Sequence, residues 1–528
     1  MTHPLFWLVV VGPVALALVG ATPLGNGRAA AARTCTAAIA AAAVALATAI
    51  ATAVATANVG TASTPLLGSA GIGFSCRLDG LSATMFCLVS FIGLVVVLYS
   101  RNYLDGDPGH ARFMRALCLT LASVLLIIVS GNLFAFTLAW IATSVALNRL
   151  LLFYPERPAA RLAASKEWIA SRLGDLCLIA AACALYARFG SLEYGVLFTG
   201  ADALRMSGTD PGLLHLVALL LVVTALLKSA QFPLHGWLVE VMETPTPVSA
   251  LLHAGIVNAG GFLILRFSHV IALSGSALDT LVLVGGFTAL FGSIVMLTQT
   301  SIKSSLAHST IAQMGFMMLE CGLAAFPAAL LHVVAHSLYK AHAFLSSGSV
   351  IDIARSSWTP GPNDRPHPLR FFIALAGVFA VALVIGSLFG FRLGERPGEF
   401  ALAAALMLGV IHLVANGIDE TPSGFVLVRT FGFAALVAAV YFGLQSGAAI
   451  AYASVLPQIV ALRDPVGVSV VAVVVTSFAL VTFVQTRLPP VSRDPRWNAL
   501  YAHVSNGLYV NTFANRLVLR FMHDPAGR

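Results

Sequence analysis

Charged side chains are scarce in this chain of 528 residues: they make up 10% of it, against 58% hydrophobic residues, and the mean hydropathy is +0.89. So little polar surface cannot clothe a soluble globule, and the composition is that of an integral membrane protein. No polar stretch is long enough to fold as a soluble domain of its own. The seven cysteines (Cys35, Cys76, Cys87, Cys118, Cys177, Cys183 and Cys321) form no C-x-x-C pair and mostly sit inside apolar runs, which speaks against a disulfide framework or a zinc knuckle. There is no G-x-x-x-x-G-K-[ST] sequence and no G-x-G-x-x-G set after a strand, so ATP or dinucleotide use is unsupported. Energy for any work would come from an ion gradient, which offers about 2.3 kcal/mol per charge per 100 mV.

What is present is a succession of apolar runs of roughly 15 to 20 residues, long enough with their flanks to cross a hydrocarbon core. Leu81 to Tyr99, Leu213 to Leu227, Leu281 to Leu297, Phe371 to Phe389 and Val468 to Phe483 are examples. The window count is about 14 spans. The formal charge of +8 is spread through the connections, so it points to topology and not to a nucleic-acid partner. Arg28 and Arg33, then Arg101, Arg112 and Arg115, then Arg157, Arg161, Lys166 and Arg172 enrich alternate loops, which puts the N-terminus on the outer face. The first run starts at Leu5 without a basic leader and reads as a retained helix. Residues 1–486 read as one transmembrane domain, with an irregular Pro-rich insert from Asp352 to Arg370, and 487–528 as a tail. That tail alternates aromatic and basic groups, which favours a membrane-surface amphipathic helix over a partner-docking segment.

Lys228-Ser-Ala-Gln-Phe-Pro-Leu-His-Gly-Trp237 ends an apolar run with an ammonium group and then breaks the helix. An amine at that depth must be paired, wetted or neutral, and one that alternates between charged and neutral forms can load and unload protons. The next segment, Glu243-Thr-Pro-Thr-Pro-Val-Ser-Ala-Leu-Leu-His253, places an acid at the membrane edge, prolines where a helix can begin, and a histidine about two turns in. Glu243 is a candidate partner for Lys228, and His253 a candidate acceptor of its proton.

His332, His336 and Lys340 follow at steps of four, which keeps them on one helical stripe about 12 Å long. Such a row with intervening water can relay protons. The competing reading, metal or haem ligation by the i, i+4 histidine pair, lacks the His-Glu-x-x-His sequence and a further Cys/His ligand set. His342 points elsewhere on the helix. Arg172 and Asp175 stand three apart and read as an intrahelical pair, either purely structural or at a proton access point. Lys303, at a helix start, reads as snorkelling to the interface. Two interior regions, Lys228 to His253 and His332 to His342, thus concentrate the unusual polarity. Paired segments of this kind point to an all-α, polytopic transmembrane helix bundle with two inverted-topology repeats and discontinuous helices.

These motifs resemble the proton-conducting antiporter-like subunits of respiratory complex I and the Mrp-type cation/proton antiporters. The likeness runs from Leu78-Asp79-Gly80 through the Lys228 to Trp237 segment, Pro245 to His253, Ile302-Lys303 and Gln313-Met-Gly315 to His332 through Lys340, covering roughly residues 75 to 350. It implies that Lys228, His253, His332, His336 and Lys340 belong to a central hydrophilic axis. Two departures stand out. The family's glutamate after the tryptophan of the fifth helix is missing, since Trp140 is followed by Ile141, and its later lysine has only Arg392 near its place. Together with Gly255-Ile-Val-Asn258 and Ala335 to Ser347, these departures are most similar to the narrower DabB-type branch, the membrane subunit of an inorganic-carbon accumulation complex.

That resemblance implies a multi-pass protein of the bacterial inner membrane, surrounded by lipid, that conducts protons or, as the alternative, sodium ions. It implies a large DabA-type partner carrying zinc in a site like that of β-carbonic anhydrases, so that carbon dioxide is captured as bicarbonate. This chain would hold no cofactor and no catalytic residue. The expected path is Lys228, His253, His332, His336 and Lys340, with Glu243 and Asp175 as modulators. The alternatives are a redox-driven pump module or cation/proton antiporter, and a scaffold that anchors a partner and conducts nothing.

Overall fold

The computed structural model describes residues 4–23, 25, 27–348, 368–391, 397–417, 424–457, 465–487 and 495–521. Lipid offers no partner to a backbone N–H or C=O, so apolar spans must satisfy their own groups as helices. After a 3-10 turn at Pro4–Val10 come α1 (Val11–Ala21), α2 (Arg28–Val59), α3 (Gly80–Tyr103), α4 (His110–Val129), α5 (Leu133–Leu151) and α6 (Pro158–Phe189). Next are α7 (Tyr194–Ser207), α8 (Leu213–Lys228), α9 (Gly236–Glu240), α10 (Thr246–Leu251), α11 (Ala259–Arg266) and α12 (Ser268–Ile271). The long hairpin of α13 (Gly275–Met296) and α14 (Ile302–Gly322) leads to α15 (Phe326–Leu345). Then follow α16 (Pro368–Leu388), α17 (Pro397–Gly417), α18 (Gly424–Ala451), α19 (Pro465–Arg487) and, in the tail, α20 (Pro495–Ser505) and α21 (Val510–Phe521).

Among the described residues eight helices are long and apolar enough to cross a membrane, and five shorter apolar helices accompany them. α14 and α15 match spans in length, at 21 and 20 residues, but are too rich in His, Lys and Glu to be counted among those eight. The molecule is therefore the polytopic all-α bundle that the sequence leads one to expect. One feature departs from that expectation. Between α2 and α3 the chain makes two small antiparallel pairs, β1 (Ala62–Ser63) with β4 (Arg77–Leu78) and β2 (Leu67–Ser69) with β3 (Ile72–Phe74). Gly71, in the left-handed region at φ 73°, turns β2 into β3, and its carbonyl accepts from Asn132 Nδ2 at 3.0 Å. Asn132 also caps α5 by accepting from Ala135 N.

Two devices fix the helices that carry the site. Asp79 caps α3 by accepting from Ser82 N, and its carboxylate is gripped by Arg266 of α11 through contacts of 2.6 and 3.2 Å, with both side chains buried. α13 and α14 pack backbone to backbone. A Cβ on Gly315 would stand 2.5 Å from Ala289 N, and one on Gly285 would stand 2.6 Å from Leu319 N. Small residues at such crossings let membrane helices approach closely. One continuous buried core links α1 through α15, and a second cluster joins α16, α17 and α18.

Candidate ion-conduction site

α8 runs apolar from Leu213 and stops at Lys228, whose ammonium lies at the C-terminal end, where unpaired carbonyls favour a cation. Ala230 adopts φ 49°, a left-handed conformation that a helix cannot continue, and Pro233 has no N–H to donate. The chain resumes as α9 at Gly236. This is the discontinuous helix expected from the sequence. At the position of the expected second break, Arg392 lies outside the described residues.

Lys228 is buried at 4% exposure. Its Nζ donates to Ser144 Oγ of α5 at 2.9 Å and to Ser171 Oγ of α6 at 3.4 Å, and stands 3.6 Å from Glu167 Oε1. The Ser171 hydroxyl donates to the same Glu167 oxygen. The ring of Trp140 lies 5.7 Å from the ammonium. The carboxylate missing after Trp140 is thus supplied by the neighbouring helix, and sequence reasoning overlooked it. The available signal was Glu167, Ser171 and Asp175 at steps of four on α6, all three buried. Asp175 forms the expected ion pair with Arg172 at 2.8 Å and is within electrostatic reach of Lys228 and Glu167. The expected partner, Glu243, ends the 3-10 turn before α10, and its side chain lies outside the described residues. Among the described side chains the carboxylate at Lys228 is Glu167.

A second group gathers around α15. Between α10 and α11 the helix widens into a π turn at Leu252–Ile256, and this turn carries His253. π turns recur at functional sites because they re-aim a side chain. His253 is fully buried and stacked on Phe344 at 4.3 Å between ring centroids. His336 is buried and 6.1 Å from the ring of His332, whose Nδ1 is 3.0 Å from Glu320 Oε2 of α14. Lys340, with no exposed surface, donates to the Leu306 carbonyl at 3.2 Å. The stripe expected on this helix therefore exists. It has an acid at its His332 end, Glu320, which sequence reasoning did not single out. Neither ring nitrogen of His253 or of His336 has a protein hydrogen-bond partner among the described residues. Lys303 donates to Thr246 Oγ1 at 3.2 Å, and His342 is exposed.

Polar residues join the two groups. Ser229, next to Lys228, donates to the Val257 carbonyl at 2.8 Å. Asn258 follows and donates to Ser337 Oγ at 2.7 Å, beside His336.

Residues 130–359 match the family described as NADH:quinone oxidoreductase/Mrp antiporter, TM, and residues 66–114 match NADH-Ubiquinone oxidoreductase (complex I), chain 5 N-terminus. The chain is 41% identical over 482 residues to the "Probable inorganic carbon transporter subunit DabB2" of Halothiobacillus neapolitanus, covering 89% of this chain and 84% of that one. It is a member of the DabB family of inorganic carbon transporter subunits. A DabB subunit so named from Hydrogenovibrio crunogenus is 38% identical over 378 residues, 71% of this chain and 70% of that one. The Mrp complex of Dietzia sp. DQ12-45-1b shares the fold, with a TM-score of 0.61 at 23% identity. All of this chain is covered in that superposition, spanning 61% of the Mrp chain. In this DabB chain the broken helix ends on Lys228, which draws its counter-charge from α6.

Proposed function

We propose that this chain is the cation-conducting membrane subunit of a two-component inorganic-carbon uptake complex in the bacterial inner membrane. Protons, or alternatively sodium ions, run down their gradient through the chain. A DabA-type partner, carrying zinc in a carbonic-anhydrase-like site, hydrates carbon dioxide in one direction so that bicarbonate accumulates in the cytoplasm. Catalysis belongs to the partner, and this chain supplies the energy.

The observation that carries the reading is the buried Lys228–Glu167 pair, joined through Ser229 and Asn258 to imidazoles with no hydrogen-bond partner among the described residues. A buried ammonium facing a carboxylate at 3.6 Å, bridged by the Ser171 hydroxyl, can pass a proton and be left as a neutral pair. Buried polar groups in folded proteins are nearly always satisfied, by water where protein offers nothing. The ring nitrogens of His253 and His336 therefore support a hydrated path from Lys228 toward Lys340 and the His332–Glu320 pair.

The test is bicarbonate uptake by cells expressing this chain with and without the DabA-type partner, while proton and sodium gradients are collapsed separately. Uptake is expected only with both chains present and the proton gradient intact. Lys228→Ala is expected to assemble and to abolish uptake. Normal uptake by an assembled Lys228→Ala protein would remove the conduction reading in favour of a scaffold. Ion flux with no bicarbonate accumulation would return the chain to the antiporter reading.

A further inference from the structure

The second half of the broken helix is held by a residue from the far end of the chain. α9 carries Glu240 and α6 carries Lys166, with side chains 13% and 7% exposed and a Nζ to Oε1 distance of 2.8 Å. Onto this pair α21 lays Asn511. Its Oδ1 accepts from Lys166 Nζ at 2.6 Å, and its Nδ2 donates to Glu240 Oε1 at 3.0 Å. An amide is the side chain that serves a cation and an anion at once, because it carries an acceptor and a donor side by side. Gly236 makes the approach possible: a Cβ there would stand 1.8 Å from Asn511 Oδ1. The tail is pinned on the way, as Tyr501 donates to the Thr298 carbonyl and Gln299 Nε2 donates to the Ser505 carbonyl, each at 3.1 Å.

Lys166 immediately precedes Glu167, and Glu240 lies on the helix that follows the break after Lys228. The Lys166–Glu240–Asn511 triad therefore fixes the spacing and rotation of α6 against the broken helix, on which the approach of Glu167 to Lys228 depends. A buried ion pair holds its geometry better with each further hydrogen bond to its members, and Asn511 bonds to both, on Lys166 Nζ and Glu240 Oε1, while Glu240 Oε2 has no hydrogen-bond partner among the described residues. We propose that Asn511 is a positioning residue for ion conduction, which bonds both members of the Lys166–Glu240 pair and thereby sets the Glu167–Lys228 contact. The inference rests on the reading of Lys228 as the conducting group. Lys166 is within electrostatic reach of His235, which in turn is within reach of His308, so a titratable group stands beside the cluster.

The test uses the whole complex reconstituted in vesicles, with proton flux read by an internal pH dye and scaled to the amount assembled. Asn511→Leu, similar in size but unable to bond, is expected to lower flux about tenfold and to displace the midpoint of its pH profile. Asn511→Asp keeps the bond to Lys166 but opposes Glu240, and is expected to be similarly impaired. Asn511→Asp combined with Glu240→Gln exchanges carboxylate and amide and is expected to restore both flux and midpoint. If Asn511→Leu does not assemble, the Asp variant and the exchange carry the comparison. An unchanged flux and profile in an assembled single variant, or an exchange no better than Asn511→Asp alone, would overturn the inference. Lys228→Ala run in parallel separates the two failures: if it still conducts, the conduction reading falls, and if it is dead while Asn511→Leu is normal, only the role of Asn511 falls.

Discussion

Lys228 and Glu167 show which part of a site a sequence announces and which part it hides. A lysine that closes an apolar run just before a helix break stands out in a sequence, so Lys228 was legible from its neighbours, and so were the histidines and lysine spaced by four on α15. Glu167 sits among Lys166, Trp168 and Arg172, a stretch that reads as the charged edge of a membrane helix. Only the packing of α6 against α8 turns that one carboxylate inward. Removing it leaves Lys228 uncompensated, and breaking a buried pair costs about 3–5 kcal/mol. Glu167→Gln is accordingly expected to cut bicarbonate uptake at least about tenfold, read as the uptake rate per assembled complex, with Glu167→Asp less impaired. The pair of Asp79 and Arg266 serves structure instead. Burial opposes ionisation of Asp79, but the Arg266 guanidinium and its hydrogen bonds, with Arg77 and Ser82 N behind them, prevail and hold the carboxyl below the usual carboxylate range. A depressed folded value stabilises at every pH above the unfolded one, near 3.9, and that stabilisation is lost only as pH falls through the folded value. Asp79→Asn is expected to lower the thermal stability of the purified protein equally at pH 5 and pH 8. A loss confined to one of these pH values would contradict this account.

The elements that matter here are the irregular ones. The break between α8 and α9 was readable from Lys228 through Pro233, because the proline leaves a one-dimensional mark, whereas the left-handed turn at Ala230 leaves none. α14 and α15 are the reverse case: hydropathy alone passes over them, since the polar groups that give them their role dilute the signal that marks a span. The small β pairs between α2 and α3 went unforeseen, because strands of two or three residues carry no periodicity to detect. The glycines of α13 and α14 likewise look like ordinary small residues until the backbones are seen to touch. Gly315→Leu is expected to force these helices apart and to destabilise the extracted protein by about 1–3 kcal/mol or more, measured as a drop in the unfolding midpoint in detergent. An unchanged midpoint would show that the hairpin can spread at no cost.

For the whole molecule, exposed apolar side chains such as Leu18, Ile50, Val54, Leu283, Leu436 and Ile450 give the bundle the lipid-facing surface its composition requires. The tail, read from sequence as a surface helix, also bonds to α6, α9 and the turn after α13, contacts between residues 206 to 345 positions apart that no local pattern encodes. If proton flow powers the complex, collapsing the proton gradient is expected to stop uptake, and collapsing the sodium gradient is expected to leave it intact. The reverse result would make sodium the driving ion while leaving the path in place.

The widened turn around His253 has a consequence for how this region tolerates change in length. It holds one more residue than a regular turn would, and each residue of a regular helix advances the azimuth by about 100°. A single deletion between Leu252 and Ile256 would let the segment wind evenly, and the imidazole now lying on Phe344 would swing off by that angle while every neighbouring residue type stayed the same. This stretch should therefore accept many substitutions more readily than the loss of one amino acid.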